Sequence, residues 1–185
     1  MNRRLISYLY LLLVTVFCLS GCAKNPNAAE INEKYEAHAK RANEALAAKD
    51  YNQAVTEYSK AIEVKPETEA YKKRASAYEA QGEHDNAIKD YYAVLDREQE
   101  SAEAWYGLGL ASIATKDYST AEAAFRKASK LNPDYAEPYY GRGLLNKAQG
   151  DTGEAIAAFK KFLEMSKDST LREKAQAELK ELGAK

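Results

Sequence analysis

Ala54, Ala87, Ala121 and Ala155 lie 33, 34 and 34 residues apart, and each is followed four residues later by an aromatic ring: Tyr58, Tyr91, Phe125 and Phe159. Twelve residues before each alanine stands a residue with little or no side chain: Ala42, Ala75, Gly109 and Gly143. A fixed period of this length predicts a solenoid, in which each unit buries its apolar face only by stacking on its neighbours. Such an array is a binding architecture rather than a catalytic one.

Units numbered from Tyr35, Thr68, Ala102 and Ala136 keep the other positions in phase. Position 4 is His38, Tyr71, Trp105 and Tyr139; position 17 is Tyr51, His84, Tyr118 and Thr152; position 27 is Ala61, Val94, Ala128 and Phe162. Apolar residues recur at spacings of three and four within each half-unit, which is a helical period. The halves are separated by Lys49-Asp50, Gly82-Glu83, Lys116-Asp117 and Gly150-Asp151. Glycine can close the first helix, A, in a left-handed turn, and the acid beside it can cap the second, B. Small residues at positions 8 and 20 let the two backbones approach, the aromatic at position 24 fills the wedge beside them, and Pro66 and Pro133 stop helix B.

This pattern resembles the tetratricopeptide repeat over residues 35–169, most closely in the third unit with Trp105, Leu108, Gly109, Tyr118, Ala121, Phe125, Ala128 and Pro133. The departures are Arg41, Arg74 and Arg142 for the usual leucine at position 7, and Gln99 and Lys167 for the proline at position 32. The resemblance implies an all-α, right-handed superhelix of four helix-turn-helix repeats at 35–67, 68–101, 102–135 and 136–169. Residues 170–185 do not begin a fifth unit. Leu171, Ala175, Leu179 and Leu182 form one apolar stripe, Thr170 and Glu173 have capping-box spacing, and Gly183 ends the segment. The stripe predicts a helix that caps the exposed end of the solenoid. A coiled-coil or membrane-surface helix is the alternative.

The first residues differ in kind. Arg3 and Arg4 precede an almost wholly apolar run over 5–19, followed by Leu19-Ser20-Gly21-Cys22. That succession reads as a secretory leader, and the apolar run is shorter than the ~20 residues that span a bilayer. An uncleaved signal anchor is the competing reading. The tetrapeptide is similar to the bacterial lipobox, which implies a signal peptide over 1–21, diacylglyceryl transfer to Cys22 and cleavage before it. Several acyl chains on one residue anchor firmly where one is marginal. Ala23 after the cysteine implies, by resemblance to Gram-negative lipoproteins, the outer membrane facing the periplasm. Residues 22–34 would hold the lipidated cysteine and a polar tether, with helix A beginning around Glu30 to Glu33. Residues 23–30 reach at most ~30 Å when extended. Cys18 leaves with the leader and Cys22 is occupied by lipid, so neither a disulfide nor a free thiol nucleophile is expected.

Loss of Arg3 and Arg4 leaves 25 basic against 28 acidic residues, a balance that argues against nucleic acid as a partner. His38 and His84 sit at different repeat positions that normally hold packing aromatics, so they read as wedge-fillers rather than metal ligands. The acids read as solvated, at turns, or paired with lysine four residues on. With no glycine-rich phosphate loop and no nucleophile–base pair, no cofactor, metal or enzymatic activity is expected.

By resemblance, A helices line a concave groove from positions 2, 5, 9 and 12. Glu36, Ala39, Asn43 and Leu46 come from the first unit, and Glu69, Lys72, Ser76 and Glu79 from the second. Glu103, Tyr106, Leu110 and Ile113 follow, then Glu137, Tyr140, Leu144 and Lys147. The peptide-binding residues expected to matter are Asn43, Lys72, Ser76, Tyr106, Leu110, Ile113, Tyr140, Leu144 and Lys147. Aromatic and aliphatic side chains ringed by charge suit an extended or helical peptide. The competing reading has Leu110, Ile113 and Leu144 packing against neighbouring helices. Ala39, Lys73, Glu103 and Gly107 break the carboxylate clamp of the family's chaperone-tail binders. The expected function is a membrane-anchored scaffold for assembly of an envelope complex such as a secretin or pilus. A regulatory adaptor recruiting peptidoglycan-processing enzymes or proteases is the alternative, and an enzyme the remote one.

Overall fold

The computed structural model describes residues 26–184; Cys22 and the leader-like segment lie outside the described residues. The described residues form α1 (Pro26–Ala47), α2 (Tyr51–Val64), α3 (Thr68–Gln81), α4 (His84–Leu95), α5 (Ala102–Ala114), α6 (Tyr118–Leu131), α7 (Glu137–Gln149), α8 (Thr152–Met165) and α9 (Ser169–Glu181). Consecutive helices pair as hairpins α1–α2, α3–α4, α5–α6 and α7–α8, each B helix also packs on the next A helix, and α9 packs on α8. This is the all-α solenoid of stacked helix-turn-helix units that the repeat predicts.

The in-phase small residues account for the stacking. Ala42, Ala54, Ala75, Ala87, Ala121 and Ala155 are fully buried. A Cβ placed on Gly109 would lie 2.4 Å from the Phe125 ring, and one on Gly143 would lie 2.5 Å from Phe159, so glycine is required for the A helix to lie on the aromatic wedge. Phe125 also faces the next unit: a Cβ on Gly141 would meet the same ring at 2.4 Å. One phenyl ring is therefore seated between α5 and α7, which touch directly.

Every hairpin turns through a residue with positive φ: Lys49 at 59°, Gly82 at 78°, Lys116 at 62° and Gly150 at 87°. The turns share one pair of bonds. At Gly82, its N–H donates to the Glu79 carbonyl at 3.0 Å and the Glu83 N–H to Tyr78 at 2.8 Å, and the same spacing recurs at the other three. The two lysines carry a left-handed conformation that glycine would hold without strain. In those two hairpins the following aspartate caps helix B, Asp50 accepting from the Gln53 N–H and Asp117 from the Thr120 N–H. Glu83 and Asp151, which follow the glycines, make no such side-chain bond. A capping bond contributes about 1 kcal/mol, comparable to the strain beside it.

Two local expectations are corrected. The first helix begins at Pro26, not at Glu30–Glu33, so residues 26–30 are helical rather than tether. Proline suits a first helical turn, Ala28 and Ala29 favour helix, and Lys34 and Glu30 pair at 2.7 Å one turn apart. The last helix is capped by Asp168, whose carboxylate accepts from the Leu171 N–H at 3.0 Å, rather than by Thr170. The apolar stripe does act as expected: Ala175 is fully buried, and Leu171, Leu179 and Leu182 pack with it on Tyr140, Phe159 and Phe162.

Candidate functional site

The A-helix wall is not uniform along the array, and position 6 of each unit sets the difference. Units three and four carry Gly107 and Gly141 there, so the preceding aromatic, Tyr91 or Phe125, lies directly on the next A helix. Unit two carries Lys73, and between α1 and α3 a cleft of about 240 Å³ remains. Tyr35, Glu36, Ala39, Asn43, Glu69 and Lys73 line it, with Tyr58 behind them. Asn43 is its polar centre: its Oδ1 accepts from the Tyr58 hydroxyl at 2.9 Å and from Lys73 Nζ at 2.8 Å. Lys73 stands 3.6 Å from Glu69, and Glu36 adds a second carboxylate, so the cleft offers a mildly acidic mixture of donors and acceptors beside aromatic surface.

The other expected groove residues divide into exposed and packed ones. Ser76 is exposed, and its hydroxyl donates to the Lys72 carbonyl at 3.2 Å. Lys72 is engaged with Glu98 at 3.0 Å, and Glu98 also accepts from the Thr68 hydroxyl. These two bonds, Thr68 foremost, hold the Glu98 carboxyl below its ordinary range. Tyr106 lies 6.0 Å from the Phe125 ring and 5.8 Å from that of Tyr135, and burial raises its hydroxyl pKa. Leu110 and Ile113 pack against Ala121, Phe125 and Leu145. Tyr140 is 8 % exposed, with Phe159 at 5.6 Å and Phe162 at 5.4 Å. Leu144 joins the cluster under α9, and Lys147 is tied to Glu178 at 2.6 Å and Glu181 at 2.8 Å of that helix. The cap thus lies against the C-terminal end of the wall.

Two expectations about polar residues are corrected. Glu57 and Asp90 are buried, at 3 % and 4 % exposure, rather than solvated. Asp90 takes Arg74 side-on, through Nε at 2.8 Å and Nη2 at 2.7 Å. Glu57 accepts from Lys60 at 2.6 Å, Arg41 Nε at 2.8 Å and His38 Nδ1 at 2.8 Å, and these donors pull its carboxyl down to about 2 against the effect of burial. His38 is therefore a member of a polar network and not a wedge-filler. The signal was present in the sequence: arginine at position 7 and an acid sixteen residues later, in the first two units alone.

Glu79, at position 12 of unit two, is the carboxyl most affected by burial on this wall. Desolvation pushes it up to about 7, and the Tyr91 hydroxyl donates to it at 3.0 Å. Its folded value exceeds the ordinary 4.5, so the stability favouring the neutral acid is present below about 4.5 and is lost as pH rises through about 7. Chemical denaturation should show the chain losing about 2–3 kcal/mol from this group between pH 5 and pH 8. Glu79→Gln should remove that loss and raise stability at pH 8. Equal pH profiles for the two proteins would show that Glu79 is solvated.

Sequence profiles described as tetratricopeptide repeat match residues 39–102, 78–144 and 136–169, one continuous run from 39 to 169. This chain is a tetratricopeptide-repeat protein. Solved structures share the fold. A repeat protein from Parabacteroides merdae ATCC 43184 aligns at 25% identity over 89% of this chain and 62% of its own, with a TM-score of 0.71. A thermophilic one from Thermus thermophilus aligns at 19% over 80% and 83%, also at 0.71. MamA from Desulfovibrio magneticus RS-1, from residue 41 to its end, aligns at 22% over 91% and 99%, at 0.66. No curated protein matches the chain significantly. Among the described residues there is no cluster of three or more potential metal ligands, and no helix is long and apolar enough to cross a membrane. The repeat protein is a scaffold with an A-helix face capable of binding protein or peptide.

Proposed function

We propose that this repeat protein is a lipid-anchored adaptor that holds an extended segment of a partner protein along its A-helix face during assembly of an envelope complex. The observation that carries this is the cleft between α1 and α3, where Asn43 and Lys73 present hydrogen-bonding groups beside Tyr35 and Tyr58. Extended peptide carries unpaired backbone C=O groups, and the Asn43 amide NH2, whose oxygen is already taken by Tyr58 and Lys73, can donate to one of them. Ser76 extends the polar strip along α3, while Tyr106, Leu110, Ile113, Tyr140 and Leu144 form its packed C-terminal continuation, with Lys72 and Lys147 held in ion pairs at its edges. The anchor in this reading is the thioether-linked lipid of Cys22, with the outer membrane as its site and the solenoid facing the periplasm.

Affinity capture with the anchored form identifies the partner segment. Asn43→Ala with Lys73→Ala should then weaken that segment about tenfold or more while helicity is retained. Undiminished binding by the folded double variant would remove the cleft from consideration. The anchor is tested separately. Cys22→Ser should give a precursor that incorporates no labelled fatty acid and is not cut before residue 22; mature protein of normal size from that variant would overturn the lipid assignment.

A further inference from the structure

The four hairpins solve one packing problem in different ways. Position 7 of helix A faces position 23 of helix B, and the pairs are Arg41 with Glu57, Arg74 with Asp90, Leu108 with Ala124, and Arg142 with Ala158. The first two are ion pairs to a buried carboxylate and the third is wholly apolar. The fourth combines the cation of units one and two with the alanine of unit three. No carboxylate stands opposite Arg142 within its own hairpin.

The consequence is visible at the guanidinium. Arg142 Nε is buried and makes no hydrogen bond; Glu122 of the preceding hairpin stands 3.8 Å away, beyond hydrogen-bonding distance. In unit two the corresponding Nε edge grips Asp90 through two parallel bonds. Beside Arg142 a pocket of about 170 Å³ opens between α7 and α8, floored by Ala158 and walled by Tyr139, Asn146, Glu154 and Lys161. Among the described residues Lys161 pairs with the exposed Glu164 at 3.3 Å. The Arg142 side chain is 40 % exposed although its Nε is buried, so a ligand reaches the guanidinium from its terminal nitrogens.

We infer that the last hairpin carries an acceptor site for a carboxylate from another molecule, at the place where the first two hairpins supply their own. A guanidinium edge recognises a carboxylate through two parallel bonds, and Asn146 and Lys161 stand where they can add donors. Glu154 on the rim and Glu122 on the Nε side set a limit: they disfavour a ligand with several charges and suit a single acidic side chain in an otherwise neutral segment. Unlike the α1–α3 cleft, this site is formed by both helices of one hairpin at the opposite end of the array, so it is independent of the proposed groove.

The test uses the full chain and three probes: a capped pentapeptide with one central glutamate, its glutamine counterpart, and butyrate. The Arg142 Nε–H signal is followed by ¹H–¹⁵N correlation spectroscopy. The glutamate peptide should shift that signal with an affinity about tenfold above the glutamine peptide's. Butyrate binding as tightly as the peptide identifies a small carboxylate as the source; weaker binding identifies an acidic side chain. Arg142→Leu copies the Leu108–Ala124 pair of unit three, should fold, and should lose the preference for glutamate. Ala158→Glu copies units one and two, should raise the melting temperature, and should also close the site. Equal shifts from both peptides, an unshifted Arg142 signal, an undiminished glutamate preference in Arg142→Leu, or a lower melting temperature for Ala158→Glu would overturn the inference.

Discussion

Ala121→Glu should destabilise the protein by about 2–4 kcal/mol, a large part of the roughly 5–15 kcal/mol that holds a domain of this size folded. Ala121 has no exposed surface and lies in one cluster with Phe125 and Leu145. Its hairpin partner at the equivalent small position is Gly109, whose backbone already touches the Phe125 ring as closely as packing allows. A glutamate there has no room for its methylenes and no partner for its charge. It either forces α5 from α6 or takes up a proton, and both cost stability. Because repeat arrays are stabilised by nearest-neighbour interfaces, the loss should spread to the unit 3–4 junction that Phe125 also serves. A denaturation midpoint unchanged in Ala121→Glu would show the repeat register to be wrong.

The second large effect is expected from Tyr106→Ala combined with Tyr140→Ala. As groove anchors, these rings would leave stability unaltered when removed and would weaken only a partner. Their surroundings indicate otherwise. Tyr106 is set between Phe125 and Tyr135, and Tyr140 against both Phe159 and Phe162. Truncating a fully buried aromatic costs about 3–5 kcal/mol; with Tyr140 buried and Tyr106 partly exposed, the two together should cost about 4–6 kcal/mol. The double variant should therefore melt early before any binding assay can be read. Retention of the wild-type urea midpoint would return both rings to the groove as free binding surface.

The hairpins were legible because small residues and aromatics recur in phase four times, and close packing leaves few alternatives for such a pattern. The wall they form was less legible. Positions 5 and 9 face a groove in an isolated unit, but Leu110 and Tyr140 become packing groups once the neighbouring unit or the cap covers them, and the number of each residue within its unit does not carry that information. Within the repeat pattern Lys73 marks only the loss of a known anion site, whereas its contrast with Gly107 and Gly141 at the same position determines where the wall opens. The buried acids were missed for a related reason. A glutamate or aspartate on a helix is usually solvated, and Glu57 and Asp90 escape that rule only through arginines sixteen residues earlier. The start of α1 depends on local propensity at Pro26 and on one ion pair, signals weaker than the repeat itself.

The glycine contacts of Phe125 give the array unequal compliance. Between units three and four a ring is clamped by two backbones, and bending there would compress atoms already in contact. Between units one and two the A helices are bridged by Asn43 and Lys73, whose hydrogen bonds can lengthen or exchange with water at little cost. The junctions thus differ in what resists bending: backbone-on-ring contact between units three and four, and hydrogen bonds beside a cleft between units one and two. A side chain wedged into that cleft would act on the pitch between the first repeat and the rest.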